Sequence, residues 1–506
     1  RLANWRCPQG IIVKARDAMW VESKRGFSLL EMLVALVILS FSLGALYQGA
    51  EAVYQALDAA GRPLGLRLYR RLPGFALLSR CAYRAIARHR SLVSRLVTWM
   101  HDSDLREDPW VLTQSLYLRF LGLIFLIASL SYSSQIMGLN GEEGILPAAD
   151  FIAQVERVAG ERGWSTWQSF QVLPSLYPLS PSDATLTALT WAAAGAGLLM
   201  MLGLLVGPAL VLFIVAWSSF VAVGGVFTGY QWDSFTLEIA IASLFIAPWR
   251  LKPGLKRGHR APLSGRWLLR IILFKFMLLN GIVKWQSGDA PWEELSAMSY
   301  HYWTQPIAHA MSWYAHHLPT WLHETSVVVM FIVELALPFF MLGTRRMRQL
   351  AFIGTLGLML LIMATGNYGI FNLLTIALAL TLLDDGALRV LAPSALRARL
   401  PDTRAERHEP AFWGIRLGRG ALALPLIILN LWVLGQRAGL EVPLNETLSP
   451  IAKSARNLNI CGTYGAFANM TEERPEILIE GSREGETWRP YTLKYKTLSL
   501  EQPHGF

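Results

Sequence analysis

Trp249-Arg250-Leu251-Lys252-Pro253-Gly254-Leu255-Lys256-Arg257-Gly258-His259-Arg260 is a basic loop set between two apolar runs, Ser234 to Pro248 and Trp267 to Val283. With Arg266 and Arg270 the cations of this connector reach seven, against no acid. The next connector, Lys284 to Glu324, reverses the balance: Asp289, Glu293, Glu294 and Glu324 stand against Lys284 alone. Gly343 to Gln349 is basic again, with Arg345, Arg346 and Arg348. Arginine and lysine beside an apolar span resist export, whereas acids contribute little. The alternation from Ser234 to Asp385 is therefore that of a chain threaded repeatedly through a bilayer.

The rest of the chain extends the pattern. Of 506 residues 53% are hydrophobic and 16% charged, with a mean hydropathy of +0.35, outside the usual range of soluble domains. A crossing helix needs about 20 apolar residues, fewer where flanking side chains snorkel. Nine runs qualify: Leu116 to Gly138, Leu186 to Leu205, Pro208 to Thr228, Ser234 to Pro248, Trp267 to Val283, Ser326 to Leu342, Leu350 to Thr365, Tyr368 to Leu383 and Gly420 to Leu434. Starting inside, nine spans put each basic loop in the cytoplasm, the acidic loop Asn140 to Asp183 outside, and the tail after Leu434 outside. The formal charge of +10 is then a set of topology signals, and no base-reading motif supports nucleic acid as a partner. In the tail, Glu476 to Glu480 and Thr487 to Lys496 read as strands around a polar turn, and two strands alone are marginal in water, so this β-rich region reads as incomplete.

Several side chains invite chemistry. A charge at mid-span costs about 2.5 to 3.5 kcal/mol on the insertion scale unless it is paired. Lys275 and Glu334 lie at matching depths in the fifth and sixth spans and are expected to pair, with Glu238 and Asn280 extending the polar cluster. A structural pair and a proton- or ligand-binding site both fit these residues. Trp285, Trp292, Tyr300, Tyr302, Trp303, Trp313, Tyr314 and Trp321 crowd one outer connector, a density suited to the lipid headgroup level or to receiving apolar surface of an incompletely folded protein. His301, His309, His316, His317 and His323 share that connector. On a helix the seven-residue spacing of three of them sets neighbours about 10 Å apart, too far to share an ion, so no metal site is expected. Cys7, Cys81 and Cys461 are dispersed, without a C-x-x-C, and imply neither a disulfide framework nor a thiolate site. There is no G-x-S-x-G elbow and no P-loop, so no catalytic residue or cofactor is assigned and an enzymatic role stays open.

Three stretches resemble known families. Lys24-Arg25-Gly26-Phe27-Ser28-Leu29-Leu30-Glu31 and the apolar run behind it resemble the prepilin-type leader of pilins and pseudopilins, which implies cleavage between Gly26 and Phe27 and a filament-aligning role for Glu31. Gln48 to Val53 and Ala82 to Arg90 are similar to the closing part of a DCC-type thiol-disulfide oxidoreductase, whose reactive cysteine motif is absent here, so no thiol exchange is expected of that segment. Residues 1–46 read as a leader joined to a truncated domain at 47–98. From Leu116 onward, Gly144-Ile145-Leu146-Pro147-Ala148, Gln231 to Glu238, Lys284 to Asp289, Tyr300 to Pro306, Trp313 to Pro319, Gly366 to Asn372 and Thr471 to Glu476 resemble the lipase maturation factor family. That resemblance implies a membrane protein that assists folding or assembly of secreted lipases, in animals from the endoplasmic reticulum with a lumenal C-terminal region.

The expectation is an all-α polytopic membrane protein of about nine transmembrane helices (residues 110–435) carrying a small extracytoplasmic β-rich domain (436–506). It is expected in a bacterial inner membrane with a periplasmic tail, binding a secreted hydrophobic client. A membrane enzyme or transporter built on Lys275, Glu334 and Glu238 is the alternative, and a pseudopilin-like filament subunit, resting on the leader, is a third.

Overall fold

The computed structural model describes residues 110–249, 251, 261–397, 400, 413–441, 445–475 and 477–491, with residues 70, 79, 88–91 and 95 of the preceding part. The leader residues Gly26, Phe27 and Glu31, and nearly all of 47–98, lie outside the described residues. Residues 106–506 form a unit of their own.

That unit is a helical bundle. Its longer helices are α1 (Val111–Ser133), α2 (Ala148–Arg162), α3 (Thr166–Val172), α4 (Asp183–Leu202), α5 (Val206–Val223), α6 (Gln231–Ser243), α7 (Leu263–Trp285), α8 (Ala297–Thr304), α9 (Ala310–His316), α10 (Thr320–Phe331), α11 (Arg345–Thr365), α12 (Phe371–Leu380), α13 (Trp413–Arg437) and α14 (Asn445–Asn457). A π-helical turn, Ile332–Ala336, and a last turn, Leu337–Met341, continue α10 into one 22-residue rod. A helix stands at each of the nine expected positions. Six of them are long and apolar enough to cross a membrane: α1, α4, α5, the α10 rod, α11 and the Gly420–Arg437 part of α13. The other three differ for physical reasons. α6 has 13 residues and α12 has 10, about 20 and 15 Å against a hydrocarbon core of about 30 Å. α7 has the length, at 23 residues, but carries Arg266, Arg270, Lys275 and Lys284, and it is tolerated because neighbouring helices bury it along most of its length.

Local sequence sets the helix ends. Ser182 caps α4 by accepting from the Thr185 amide, and Gly203, at a φ of 74°, closes it in the left-handed conformation that glycine adopts without strain. Arg119 of α1 donates to the Met201 carbonyl at 3.0 Å, satisfying an end of α4 that has no helical partner. α1 is capped from far along the chain: the Asp385 carboxylate accepts from the Val111 and Thr113 amides, both at 3.0 Å. Beside it, the Trp110 indole donates to the Leu383 carbonyl and Asp384 pairs with Arg345 at 2.7 Å. Arg266 lies over the Trp110 ring. This is the arginine end of the bundle. At the opposite, aromatic end lie the connector 286–319, α2, α3, α14 and residues 465–474.

The tail keeps the expected strand pair in shorter form and adds a helix. Its described part holds a helix, α14, and two short strands, β1 (Glu480–Gly481) and β2 (Arg489–Pro490), paired antiparallel with Glu480 opposite Pro490. Residue 476 and residues 492–496 of the expected strands lie outside the described residues. Helix α14 is amphipathic, with Ala452 and Ala455 buried, and it packs on α13 and α3, where Gln171 bonds Ser454 at 2.7 Å.

Candidate functional site

Among the described residues two buried ion pairs lie on α7, and neither is the expected Lys275–Glu334 pair. Lys275 and Lys284 are nine residues apart, two and a half helical turns, so they leave α7 on opposite faces. Lys275 Nζ meets Glu238 Oε1 of α6 at 2.7 Å, with both side chains fully buried. Lys284 Nζ meets Glu334 Oε2 at 2.7 Å and Oε1 at 3.0 Å, and also donates to the Asn280 carbonyl at 3.2 Å. The apolar run ends at Val283, which on sequence alone places Lys284 in the connector. The helix continues to Trp285, and the π-helical turn presents Glu334 against the last turn of α7, where Gly281 leaves room for it.

The Lys275–Glu238 pair has a third participant. The chain returns after α14 and inserts Cys461 to Tyr464 beside it. Lys275 donates to the Gly462 carbonyl at 2.9 Å and approaches Cys461 Sγ at 3.8 Å. Glu238 Oε2 accepts the Gly462 amide at 3.1 Å and the Tyr464 hydroxyl. Lys275 lies ten residues below the end of α7, about 15 Å down the helix. Irregular backbone at such depth is tolerated only where protein satisfies its amides and carbonyls. The two charges do that for Gly462, and their own mutual attraction offsets part of the cost of desolvating them.

The same segment is bound all along its course. Gln231 Oε1 accepts the Gly465 amide at 3.1 Å, and Asn280 Oδ1 accepts the Ala466 amide at 2.9 Å. The Trp292 indole donates to the Phe467 carbonyl at 3.0 Å, and Asp289 Oδ2 accepts the Met470 amide at 2.8 Å. Arg474 then donates to the Trp303 carbonyl. Glu238, Lys275 and Asn280 thus meet through residues 462–466, while Glu334 sits apart with Lys284. Sequence reading missed Gln231, Lys284, Asp289, Cys461, Gly462 and Tyr464. One signal was available: Gly462 and Gly465 flank Tyr464, and a Cβ at Gly465 would approach Val283 to 2.8 Å while one at Gly462 would collide with the Tyr464 phenol.

The aromatic connector sorts into a frame and a surface. Trp292 and Tyr302 are buried, and Trp292 packs with Ala297, Val327, Met330 and Met470. Tyr300, Trp303 and Trp313 are half-buried. Trp285, Tyr314 and Trp321 are 68%, 57% and 62% exposed, and Ile307, Met311 and Leu318 are exposed with them. The histidines serve the frame in separate roles. His323 is buried between Ser299 Oγ and the Ala315 carbonyl, His309 caps α9, and His317 bonds the Trp313 carbonyl. His301 bonds the Tyr368 hydroxyl at 3.1 Å, and burial, then the Lys284 charge, hold its imidazole down at about 4. Burial first, then His317 and His323, likewise lower His316.

A bundle of crossing helices, a buried ion pair at membrane depth and a returning segment seated on it define an integral membrane protein with a structured polar interior. Residues 112–390 match the family profile described as the lipase maturation factor transmembrane domain, and residues 23–47 match a prokaryotic N-terminal methylation motif. The chain belongs to the lipase maturation factor family. Lipase maturation factor 1 of Bos taurus is 30% identical over 407 residues, covering 78% of this chain and 72% of the relative. Lipase maturation factor 2 of Rattus norvegicus is 29% identical over 501 residues, covering 78% and 70%. Lipase maturation factor 2 of Homo sapiens is 37% identical over 295 residues, covering 54% and 40%. No solved structure matches the chain.

Proposed function

We propose that this protein assists maturation of a secreted, hydrophobic client by holding it at the aromatic end of the bundle, and that it does so without catalysing a reaction. The observation that carries the reading is the division of the aromatic connector: Trp285, Tyr314 and Trp321 stand exposed on a frame fixed by buried Trp292, Tyr302 and His323. Rigid exposed rings lose little conformational freedom on contact, which suits capture of apolar surface. The relatives' names support a lipase as client. Cations at one end and acids at the other support an aromatic end facing the periplasm of a bacterial inner membrane, and the prokaryotic motif at 23–47 supports that host. The Lys275–Glu238 pair is engaged by the chain's own segment, which favours a structural role for these charges over transport.

A photo-crosslinking amino acid at position 314 or 321, in native membranes of a lipase-secreting host, tests the reading. Adducts with a secreted protein are expected, and they should shrink when Met311 and Leu318 become Ser. Adducts with lipid alone would identify the rings as bilayer anchors and sink the client reading.

A further inference from the structure

We propose that the mouth formed by Gln231, Glu238, Lys275, Asn280, Asp289 and Trp292 is a peptide-binding socket, and that residues 461–470, Cys-Gly-Thr-Tyr-Gly-Ala-Phe-Ala-Asn-Met, are its ligand, held in cis. All six side chains bind main-chain atoms of the segment: the amide and carbonyl of Gly462, the amides of Gly465, Ala466 and Met470, and the carbonyl of Phe467. Such a site takes a polypeptide by its main chain, with affinity coming from the backbone and selectivity from the few side chains that enter.

Cys461 lies against Lys275 and Met470 packs with Trp292, and two aromatic side chains enter between them. Tyr464 reaches Glu238 with its hydroxyl, and Lys275 lies 5.1 Å from its ring centroid. Phe467 places its ring against His301 and Tyr368, at centroid distances of 5.0 and 5.6 Å. Its φ of 55° is one that a bulky residue adopts only when its surroundings impose it. Here the imposing contacts are the Trp292 bond to its carbonyl and the two rings. The glycines at 462 and 465 are a second requirement, since a side chain at either would meet Tyr464 or Val283. The ligand class is therefore a peptide of pattern Gly-x-Tyr-Gly-x-Phe that turns at its last two residues, Ala466 and Phe467 here. This inference stands apart from the client reading, because the ligand is the chain's own segment.

The test supplies the segment in trans. In the full-length chain, residues 461–470 are replaced by a Gly/Ser repeat of equal length, and a fluorescein-labelled peptide of the natural ten residues is titrated by anisotropy in detergent. Saturable binding to the replaced chain is expected, with at least tenfold weaker binding of the peptide carrying Tyr464→Phe, at least tenfold weaker binding after Glu238→Ala, and none to the intact chain, whose socket is filled. No binding to a replaced chain that still elutes as a folded species, or binding indifferent to Glu238→Ala, overturns the proposal. If the replaced chain does not fold, the intact chain carries the test with Cys7 and Cys81 changed to Ser. Asn280→Ala and Asp289→Ala should each speed maleimide labelling of Cys461 at least tenfold, and an unchanged rate overturns the proposal.

Discussion

Glu334 packs at the level of Gly281, further along α7 than Lys275, and each has a different partner, so mutant cycles should separate the two pairs. Removing one member of a buried ion pair strands the other, at a typical cost of about 3–5 kcal/mol. Lys275→Met and Glu238→Gln should each reach that range in detergent unfolding, and the double variant should cost clearly less than the sum. Lys275→Met combined with Glu334→Gln should instead be additive within about 0.5 kcal/mol, since the two groups lie on opposite faces of α7 and share no partner. Strong coupling between Lys275 and Glu334 would contradict this arrangement. His301 gives a prediction in pH. Its folded-state value, about 4, lies below the ordinary 6.5, so between these values the unfolded chain takes up the proton more readily. The stability it contributes is fully present above about pH 6.5 and is lost as pH falls towards about 4. The drop in melting temperature from pH 7.5 to 4.5 should therefore be smaller in His301→Gln than in the parent, and an equal drop would assign the acid sensitivity elsewhere. Lys275, Glu238 and Asn280 were legible as a cluster from the insertion cost of charge alone. Their true connection was hidden, because Gly462 contributes only backbone and no side-chain pattern announces it.

The packing of α1 against α4 depends on two glycines. A Cβ at Gly122 would come within 2.5 Å of the Met201 amide nitrogen, and one at Gly197 within 2.6 Å of the Leu126 amide nitrogen. Both obstacles are backbone, which cannot step aside as a side-chain tip can. Gly122→Ala and Gly197→Ala should each destabilise by about 1–3 kcal/mol, the usual range for overpacking. Gly195, on the same helix with open space around it, is the control: Gly195→Ala should be neutral or stabilising by up to about 1 kcal/mol through helix propensity. Thermal unfolding of the three variants checks this, and equal effects at 195 and 197 would mean that the helices are not in close contact. At this scale the sequence was informative about where helices lie and less so about what they do. Apolar runs located all nine, since hydropathy is summed over many residues and survives local irregularity. α6 and α12 are too short to cross alone, and the π-helical turn that presents Glu334 was invisible, because both follow from packing partners distant in sequence. The re-entry of residues 461–464 escaped for the same reason: Cys-Gly-Thr-Tyr is neither apolar enough to read as a span nor polar enough to read as a surface loop.

For the whole molecule the deciding question is which way the bundle faces. Successive long helices alternate in direction, so α1, α5, α7, α11 and α13 run from the arginine end to the aromatic end, and the segment 461–470 re-enters from the aromatic side. Arg266, Arg270, Arg345, Arg346 and Arg348 crowd the first end, and Asp289, Glu293, Glu294 and Glu324 the second. Because retention of cations during insertion sets orientation, the arginine end should stay in the cytoplasm. Two single-cysteine chains, His317→Cys and Arg346→Cys, each with Cys7, Cys81 and Cys461 changed to Ser, make this measurable in cells with a permeabilised outer membrane. A membrane-impermeant maleimide should tag position 317 and leave 346 untouched until the inner membrane is opened. The reverse pattern would turn the exposed rings of Trp285, Tyr314 and Trp321 towards the cytoplasm, where no secreted client passes in a folding-competent form outside the export route. The socket at Glu238 and Lys275 would survive that outcome, because its bonds are internal to the bundle. Orientation therefore tests the client reading while leaving the peptide site to its own experiment.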